Sequence, residues 1–113
     1  MKELKFTEKN LKRHLTANSE YSHTRHVLVT TRDEAKGVEG DVFKITTPRG
    51  ERHYVLESVL QYGPYDRVIR IVADSFYQRE GFKTPLQMRN ELRHLYGKDV
   101  EKLYVHVLKS VNL

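Results

Sequence analysis

The pattern of apolar and polar positions near the end of the chain predicts an amphipathic helix. Met88, Leu92, Leu95 and Tyr96 recur at helical spacing and form one apolar stripe. The polar positions between them fall on the opposite side and are Arg89, Asn90, Glu91 and Arg93. One face of this helix is therefore expected to pack on a core, and Met88 is interpreted as part of that packing rather than as a ligand.

Both ends of this helix carry clear sequence signals. Thr84 suits the N-cap, and Pro85 suits the first helical position because its missing N–H would be unpaired there. Gln87 is predicted to complete a capping box back to Thr84. Gly97 supplies a C-cap just after the last apolar position. These signals predict a helix over residues 85–96.

A first helix is predicted after Thr7, which suits an N-cap and is followed by Glu8 in the first turn. Leu11 and Leu15 lie one turn apart and are expected on its buried side. The helix is expected to end at residues 17–19. Its exposed side is predicted to carry Lys9, Lys12 and Arg13, as a solvated face rather than a phosphate contact.

Short segments rich in β-branched residues, separated by turns, predict strands. Pro48-Arg49-Gly50 predicts a hairpin turn, because proline presets its backbone angle and glycine tolerates angles that other residues avoid. Residues 67–73 alternate Val68, Arg70 and Val72 against two isoleucines, which favours a strand. The predicted strands are residues 2–6, 27–30, 42–47, 52–60, 67–73 and 103–108.

Hairpin-linked strands in a chain this short must pair antiparallel, and curling into a small barrel hides their edges. The expected fold is therefore α+β, a small mixed barrel of five or six strands with flanking helices. At 113 residues the chain has the length of one domain, which we expect to span residues 1–113.

Composition excludes several classes of protein. The absence of cysteine excludes disulfide scaffolds, thiol catalysis and cysteine-based zinc sites. No apolar run approaches the roughly 20 residues of a membrane helix, and the N-terminus lacks the apolar core of a signal peptide. We therefore expect a cytoplasmic protein, a monomer with no membrane partner. The net charge of +5 favours anionic partners, phosphate-bearing ones above all.

A polar stretch, residues 20–26, leads into the strand that begins at Val27. Its density of groups able to exchange protons is typical of a binding loop, although an ordinary polar loop has the same composition. His23 and His26 have a spacing that could touch one metal ion, but no third ligand is indicated nearby. We therefore predict no metal and no organic cofactor.

Several of these features together resemble the ASCH domain, a β-barrel similar to the PUA RNA-binding fold. The resemblance rests on the first helix, the polar Thr-Arg stretch, Gly40-Asp41-Val42 opening a strand, the Glu80-Gly81-Phe82 turn before a helix, and a closing Tyr104-Val105-His106 strand. It implies a PUA-like barrel that binds RNA or nucleotides, linked to translation or RNA processing. Some bacterial relatives are amidohydrolases that remove acyl groups from N4 of cytidine.

Those enzymes resemble one another in a spaced pattern of glycine, lysine, threonine or glutamate, and arginine after the first helix. With the arginine set on Arg25, Asn18 falls at the glycine, Glu20 at the lysine and His23 at the threonine or glutamate. A shift of one residue brings Thr24 to the threonine position. No lysine is supplied in either register, but the family's later acidic position matches Glu80.

Two functions follow as hypotheses. In the first, the barrel mouth takes a nucleobase or short single-stranded RNA through stacking, phosphate contacts and a carboxylate acceptor. The residues assigned to that mouth are Glu20, Tyr21, His23, Thr24, Arg25 and Glu80, and those assigned to RNA backbone contacts are Arg25, Arg49, Arg52 and Arg79.

In the second hypothesis, the protein is a small hydrolase acting on an acylated nucleoside. Glu80 would be its general acid or base, Thr24 a polarising hydroxyl and Arg25 the orienting group, with His23 as another candidate base. A protein-interaction domain with a protein partner is a third interpretation, since tyrosine and arginine also mark protein interfaces.

Overall fold

In the computed structural model, residues 1–20 and 27–111 are described, except for the side chains of residues 16–20. Within these ranges the chain forms five strands and three helices. The elements are β1 (Lys2–Glu3), α1 (Glu8–Glu20), β2 (Val27–Arg32), β3 (Val42–Thr47), β4 (Gly50–Tyr62), α2 (Val68–Phe76), α3 (Pro85–Tyr96) and β5 (Leu103–Val111).

The strands form one mixed sheet in the order β1-β3-β4-β5-β2. β1 pairs with β3 in parallel, and the other pairs are antiparallel. In the described part of the chain β1 and β2 do not pair with each other, so the sheet is curved but not closed. The α+β class and the mixed five-stranded sheet are confirmed, with β1 and β2 as the two edges.

Side chains from alternate positions of the sheet pack into two cores, because successive residues of a strand point to opposite faces. One core lies under α2 and α3 and includes Val29, Leu103 and Val105 of the sheet. The other lies on the opposite face, beside α1, and its buried members are Leu4, Leu28, Phe43, Ile45, Tyr54, Leu56 and Leu108.

The predicted strand over residues 67–73 is wrong, since this segment is the helix α2. Its buried positions include Val68, Ile69, Val72 and Phe76, which recur every three or four residues and lie against the sheet. Over so short an apolar run the strand and helix periods are hard to tell apart. Tertiary packing against the sheet therefore overrides the strand preference of Val and Ile.

The predicted caps of α3 are confirmed apart from one bond. The Thr84 side chain accepts a hydrogen bond from the Gln87 N–H at 3.2 Å. The Gln87 side chain, however, accepts from the N–H of Lys83 rather than that of Thr84, so the reciprocal half of the capping box is displaced by one residue. Gly97 ends the helix with a φ of 86°, and the predicted apolar stripe loses Leu95, which is 44% exposed.

α1 differs from its prediction in what it buries. Thr7 caps it as predicted, accepting from the N–H of Asn10 at 3.2 Å. Its fully buried positions are polar, Asn10 and His14, whereas Leu11 and Leu15 are half-buried. The helix also continues to Glu20, beyond the predicted end at residues 17–19.

The first strand is shorter than predicted, and its register explains why. Within residues 2–6 the strand is limited to β1, Lys2–Glu3, beside Phe43 and Lys44 of β3, and the N–H of Leu4 makes one further bond to the Lys44 carbonyl at 3.1 Å. After Leu4 the chain leaves the sheet edge and runs across it toward α1. This departure leaves a gap between the segment after β1 and the other edge strand, β2.

None of the helices in the described ranges is long and apolar enough to cross a membrane.

Two isoleucines of α2 test the helical assignment directly. A strand would place Ile69 and Ile71 on the same face, but the helix leaves Ile69 6% exposed and Ile71 40% exposed. Ile69→Ala is expected to lower the free energy of unfolding by about 2–5 kcal/mol, and Ile71→Ala by about 1 kcal/mol or less. Urea denaturation measures both values, and similar losses for the two variants would contradict the helix.

Candidate functional site

Glu80 lies in the turn between α2 and α3, and its side chain is buried, with 3% exposure. Its Oε1 accepts a hydrogen bond from the N–H of Thr31 at 3.1 Å, and its Oε2 accepts from the Thr31 hydroxyl at 2.7 Å. Thr31 belongs to β2, which is an edge of the sheet. A single carboxyl group therefore fastens the α2–α3 turn to the edge strand.

Burial sets the protonation state of this carboxyl group. Desolvation raises the pKa of Glu80 to about 7, against the opposing effects of the Thr31 hydrogen bonds and of the charges on Arg13 and Arg32. Both protonation states are thus accessible near neutral pH. A group of this kind can accept a hydrogen bond from a ligand in one state and donate one in the other.

Arg13 of α1 reaches the same turn from the other side. Its Nε donates to the backbone carbonyl of Glu80 at 2.8 Å, its Nη1 donates to Asn10 Oδ1 at 2.6 Å, and its guanidinium lies 3.8 Å from the centre of the Phe82 ring. Desolvation lowers its pKa, while the charges of Glu80 and Glu91 oppose that shift. Arg13, predicted on a solvated face, is instead half-buried and holds α1 to the turn.

His14 lies next to Arg13 and is buried, with 2% exposure. Burial, reinforced by the charges of Arg13 and Arg32, lowers the pKa of His14 well below its usual value, so the ring is neutral at pH 7. Its Nε2 lies 3.2 Å from Nη2 of Arg13. Because arginine can only donate, Nε2 is the acceptor and the proton is assigned to Nδ1. The ring also makes an edge contact with Phe6, with centres 5.0 Å apart.

Arg32, the last residue of β2, spans the gap between the two sheet edges. Its Nη2 donates to the carbonyl of Lys5 at 3.0 Å, and its Nε donates to the hydroxyl of Thr30 at 3.2 Å. Its guanidinium lies 4.8 Å from the centre of the Phe6 ring. Arg32 thus joins the segment after β1 to β2 where no strand pairing does so.

These groups surround a cavity of about 130 Å³ at the edge of the sheet. A cavity of roughly 150 Å³ holds a benzene molecule, so this one is of the size of a single small ring. Tyr96 of α3 closes one side and donates from its hydroxyl to the Thr31 carbonyl at 3.2 Å. The residues that line it include Lys5, Phe6, Arg13, His14, Thr30, Thr31, Arg32, Glu80, Phe82, Glu91 and Tyr96.

A second buried histidine, His106 of β5, lies beside Thr30, which is one of the residues lining the cavity. Its Nε2 accepts from the N–H of Lys36 at 3.0 Å, and its Nδ1 lies 3.3 Å and 3.1 Å from the carbonyls of Thr30 and Tyr104. Two carbonyl neighbours assign the proton to Nδ1. Burial lowers the pKa of His106 and favours this neutral form. The hydrogen bond from Lys36 to His106 holds the loop after β2 against the sheet.

Of the site residues predicted from the sequence, the structure places Glu80 in the cavity. The predicted polar loop lies outside the described residues, and its members are Glu20 (by its side chain), Tyr21, His23, Thr24 and Arg25. Among the described residues no group of three His, Asp or Glu side chains is arranged to hold a metal ion.

The three described arginines assigned to RNA contacts lie away from the cavity. Thr31 pairs with Val105, which pairs with Leu60 of β4, and Arg52 lies eight residues further along β4. That separation is about 26 Å at strand spacing, and Arg49 lies beyond it in the hairpin turn. Arg79 is next to Glu80 in sequence, but its side chain is exposed and near the Phe76 ring.

Sequence reasoning missed Arg13, His14, Thr31 and Arg32. A signal existed for three of them. Thr31 and Arg32 extend the β2 segment with a hydroxyl and a cation where the apolar strand ends. His14 stands between Leu11 and Leu15 on the inner side of α1, so its burial could also have been inferred. Nothing local separates Arg13 from the exposed lysines of the same helix.

Comparison with known proteins identifies the fold. No family model matches the sequence, and no curated protein matches it. The structure is similar to the crystal structure of ASCH from Zymomonas mobilis, with a TM-score of 0.57 and 17% identity over 98% of this chain and 72% of that one. A tyrosine-to-phenylalanine variant of the same protein gives a TM-score of 0.55 and 16% identity, over 98% and 74% of the two chains. At such identities the likeness establishes the fold alone.

Glu80→Gln tests the buried carboxyl through the pH dependence of stability. Glutamine keeps the shape and stays neutral. Because the folded state raises the pKa of Glu80 from 4.5 to about 7, the carboxyl favours folding fully below pH 4.5, and that contribution is lost as the pH rises through 7. The variant is therefore expected to gain stability relative to the parent between pH 4.5 and 7, by about 3 kcal/mol, and to keep that gain above pH 7.

Chemical denaturation at a series of pH values measures this difference. Glu57→Gln, at an exposed position of β4, removes the same charge from the surface and serves as the control. A stability difference between Glu80→Gln and the parent that does not change with pH would show that Glu80 is not a buried, neutralised carboxyl group.

Proposed function

We propose that this chain, which has the ASCH domain fold, is an RNA- or nucleotide-binding module and that its cavity around Glu80 holds one nucleobase. The observation that carries the proposal is the cavity itself. It has the size of a single ring. Its walls combine aromatic rings and guanidinium planes with a buried carboxyl group that can be neutral or charged near pH 7. Binding pockets for small ligands combine a concave shape with a few convergent polar groups in this way.

The cavity lies at an edge of the sheet, and this position favours a flat ligand that carries polar groups around its ring. Thr30 and Thr31 are consecutive in β2, so their side chains point to opposite faces of the sheet, yet both line the cavity. The cavity therefore wraps around the sheet edge, between α1 on one face and α3 on the other. A ring inserted at this edge would meet the Glu80 carboxyl, which can accept from an exocyclic amine.

Aromatic surfaces near the edge support the same proposal. Phe6 and Phe82 each carry a guanidinium over one face, from Arg32 and Arg13 respectively. Base recognition in single-stranded RNA uses stacking on aromatic rings and on arginine planes. The cavity supplies both kinds of surface within one site.

The arginines that the sequence assigned to RNA contacts would bind the phosphates of a longer RNA whose base occupies the cavity. Arg52 lies about 26 Å from the level of Thr31 along the sheet, and Arg49 lies further away, so only a strand of several nucleotides would reach them from the cavity. Tyr21, His23 and Arg25 immediately precede β2 in the sequence. A role in translation or RNA processing, which the resemblance implies, belongs to the same proposal.

Hydrolysis of an acylated nucleoside is a second candidate, favoured by one contact. The Thr31 hydroxyl donates to a Glu80 carboxyl oxygen at 2.7 Å, and a hydroxyl beside a base with a pKa near neutrality is the arrangement of an activated nucleophile. If the spacing of the amidohydrolases is set on Arg32, Thr30 falls at the threonine position and Val27 at the lysine. Lys5 lines the cavity and supplies an ammonium group there.

A titration with N4-acetylcytidine, followed by NMR on both protein and ligand, tests the two functions together. Binding in the cavity is expected to shift the backbone amides of Thr31, Arg32, Glu80 and Phe82. For a binding module the acetyl signal stays constant. For a hydrolase it is lost faster than in the protein-free control, and Glu80→Gln slows that loss at least about 100-fold while Glu57→Gln does not.

Amide shifts confined to the hairpin turn near Arg49, or their absence at high ligand excess, would contradict binding in the cavity. A rate of acetyl loss that is unchanged in Glu80→Gln would remove the proposed catalytic role while leaving the binding function in place.

A further inference from the structure

Two arginines of the cavity form no direct ion pair with any of the described residues. Arg13 and Arg32 are half-buried, yet neither forms an ion pair with a carboxylate in the described part of the chain, where the ion pairs involve other residues. Burial lowers the pKa of both, which means that it disfavours their charged form. A partly buried cation is normally paired, because desolvating an unpaired charge is costly.

The charge of Glu80 acts on both arginines, but neither of them donates a hydrogen bond to its carboxyl oxygens. Both accept hydrogen bonds from Thr31, and Arg13 bonds to the Glu80 backbone rather than to its carboxyl. The cationic residues lining the cavity are Lys5, Arg13 and Arg32, and the acidic ones are Glu80 and Glu91. The cavity thus carries an excess of positive charge, which grows when Glu80 is protonated.

The cationic groups that bond to no acceptor among the described residues lie where the cavity opens, which we call its mouth. Lys5 is exposed, so it marks the side of the cavity that opens to solvent. The Arg32 Nη2 donates to the Lys5 carbonyl, which places the two residues side by side. Among the described residues nothing accepts a hydrogen bond from the Arg32 Nη1 or from the Lys5 ammonium. Arg13, in contrast, uses all three of its nitrogens.

We infer that the ligand is a nucleotide rather than a neutral nucleoside, with its ring in the cavity against Glu80 and its phosphate at the mouth on Arg32 and Lys5. This inference rests on the proposed function and specifies its ligand class. Arginine binds phosphate oxygens through parallel N–H donors, and lysine adds a point charge. The anion would supply a directly bonded counter-ion, which Arg32 does not have among the described residues.

The test compares cytidine, cytidine 5′-monophosphate and inorganic phosphate by isothermal titration calorimetry at low salt. The parent is expected to bind the monophosphate at least about tenfold more tightly than the nucleoside. Lys5→Gln is the main variant, because the Lys5 side chain makes no hydrogen bond to a described residue and its loss should not affect folding. It is expected to weaken binding of the monophosphate about three- to tenfold and to leave that of cytidine unchanged.

Matched variants separate this subsite from general charge effects. Arg32→Gln should abolish the preference for the monophosphate, whereas Arg52→Gln, at the far end of the sheet, should retain it. Lys9→Gln removes an exposed cation from α1 and is the control for Lys5→Gln, with an expected change below about twofold.

The outcomes distinguish the inference from the function on which it rests. Equal affinity for cytidine and its monophosphate would overturn the phosphate subsite and leave nucleobase binding intact. Binding of neither would overturn both. Inorganic phosphate binding as tightly as the monophosphate would support the anion subsite at the mouth but contradict a nucleobase in the cavity. A monophosphate preference that Lys5→Gln and Arg32→Gln leave unchanged would also overturn the assignment.

Discussion

The pair formed by Glu80 and Thr31 is the interaction on which the site depends. Burying a carboxyl group is unfavourable, and here hydrogen bonds from both the backbone and the hydroxyl of one residue offset part of the cost. The pair joins the turn between α2 and α3 to an edge strand that has a neighbour on one side only. Arg13 then reaches the backbone of the same turn from α1. The sheet, the α2–α3 turn and α1 are therefore joined at Glu80.

The open sheet edge provides the space in which this acid can meet a ligand. β1 is short, so the chain after it crosses the end of the sheet without pairing with β2. Arg32 fills that gap with side-chain bonds to Lys5 and Thr30. Backbone pairing would have closed the sheet and removed the cavity. Side chains instead keep the edges together and leave a site lined from both faces of the sheet. A fold of this kind can serve many functions, so the chemistry of these side chains carries the functional argument.

Local signals in the sequence were enough for some elements and not for others. The caps of α3 could be predicted because Thr84, Pro85 and Gly97 act on their own neighbours. α2 could not, because Val and Ile favour strands and only the surface they pack on selects the helix. Glu80 stood out in its turn, but its partners lie 49 and 67 residues away in Thr31 and Arg13. Contacts of that range depend on topology, which is why the cluster around Glu80 emerged from the structure.

The most direct test of this account is the pKa of Glu80, measured by the pH dependence of its side-chain carboxyl ¹³C chemical shift in the folded protein. The account predicts a midpoint at about 7, together with smaller shifts of the Thr31 amide at the same pH, because the two groups share hydrogen bonds. A midpoint near 4.5, the ordinary value for a solvated glutamate, would contradict it. The carboxyl group would then be exposed to water, and the cavity, its charge balance and its proposed ligand would lose their basis.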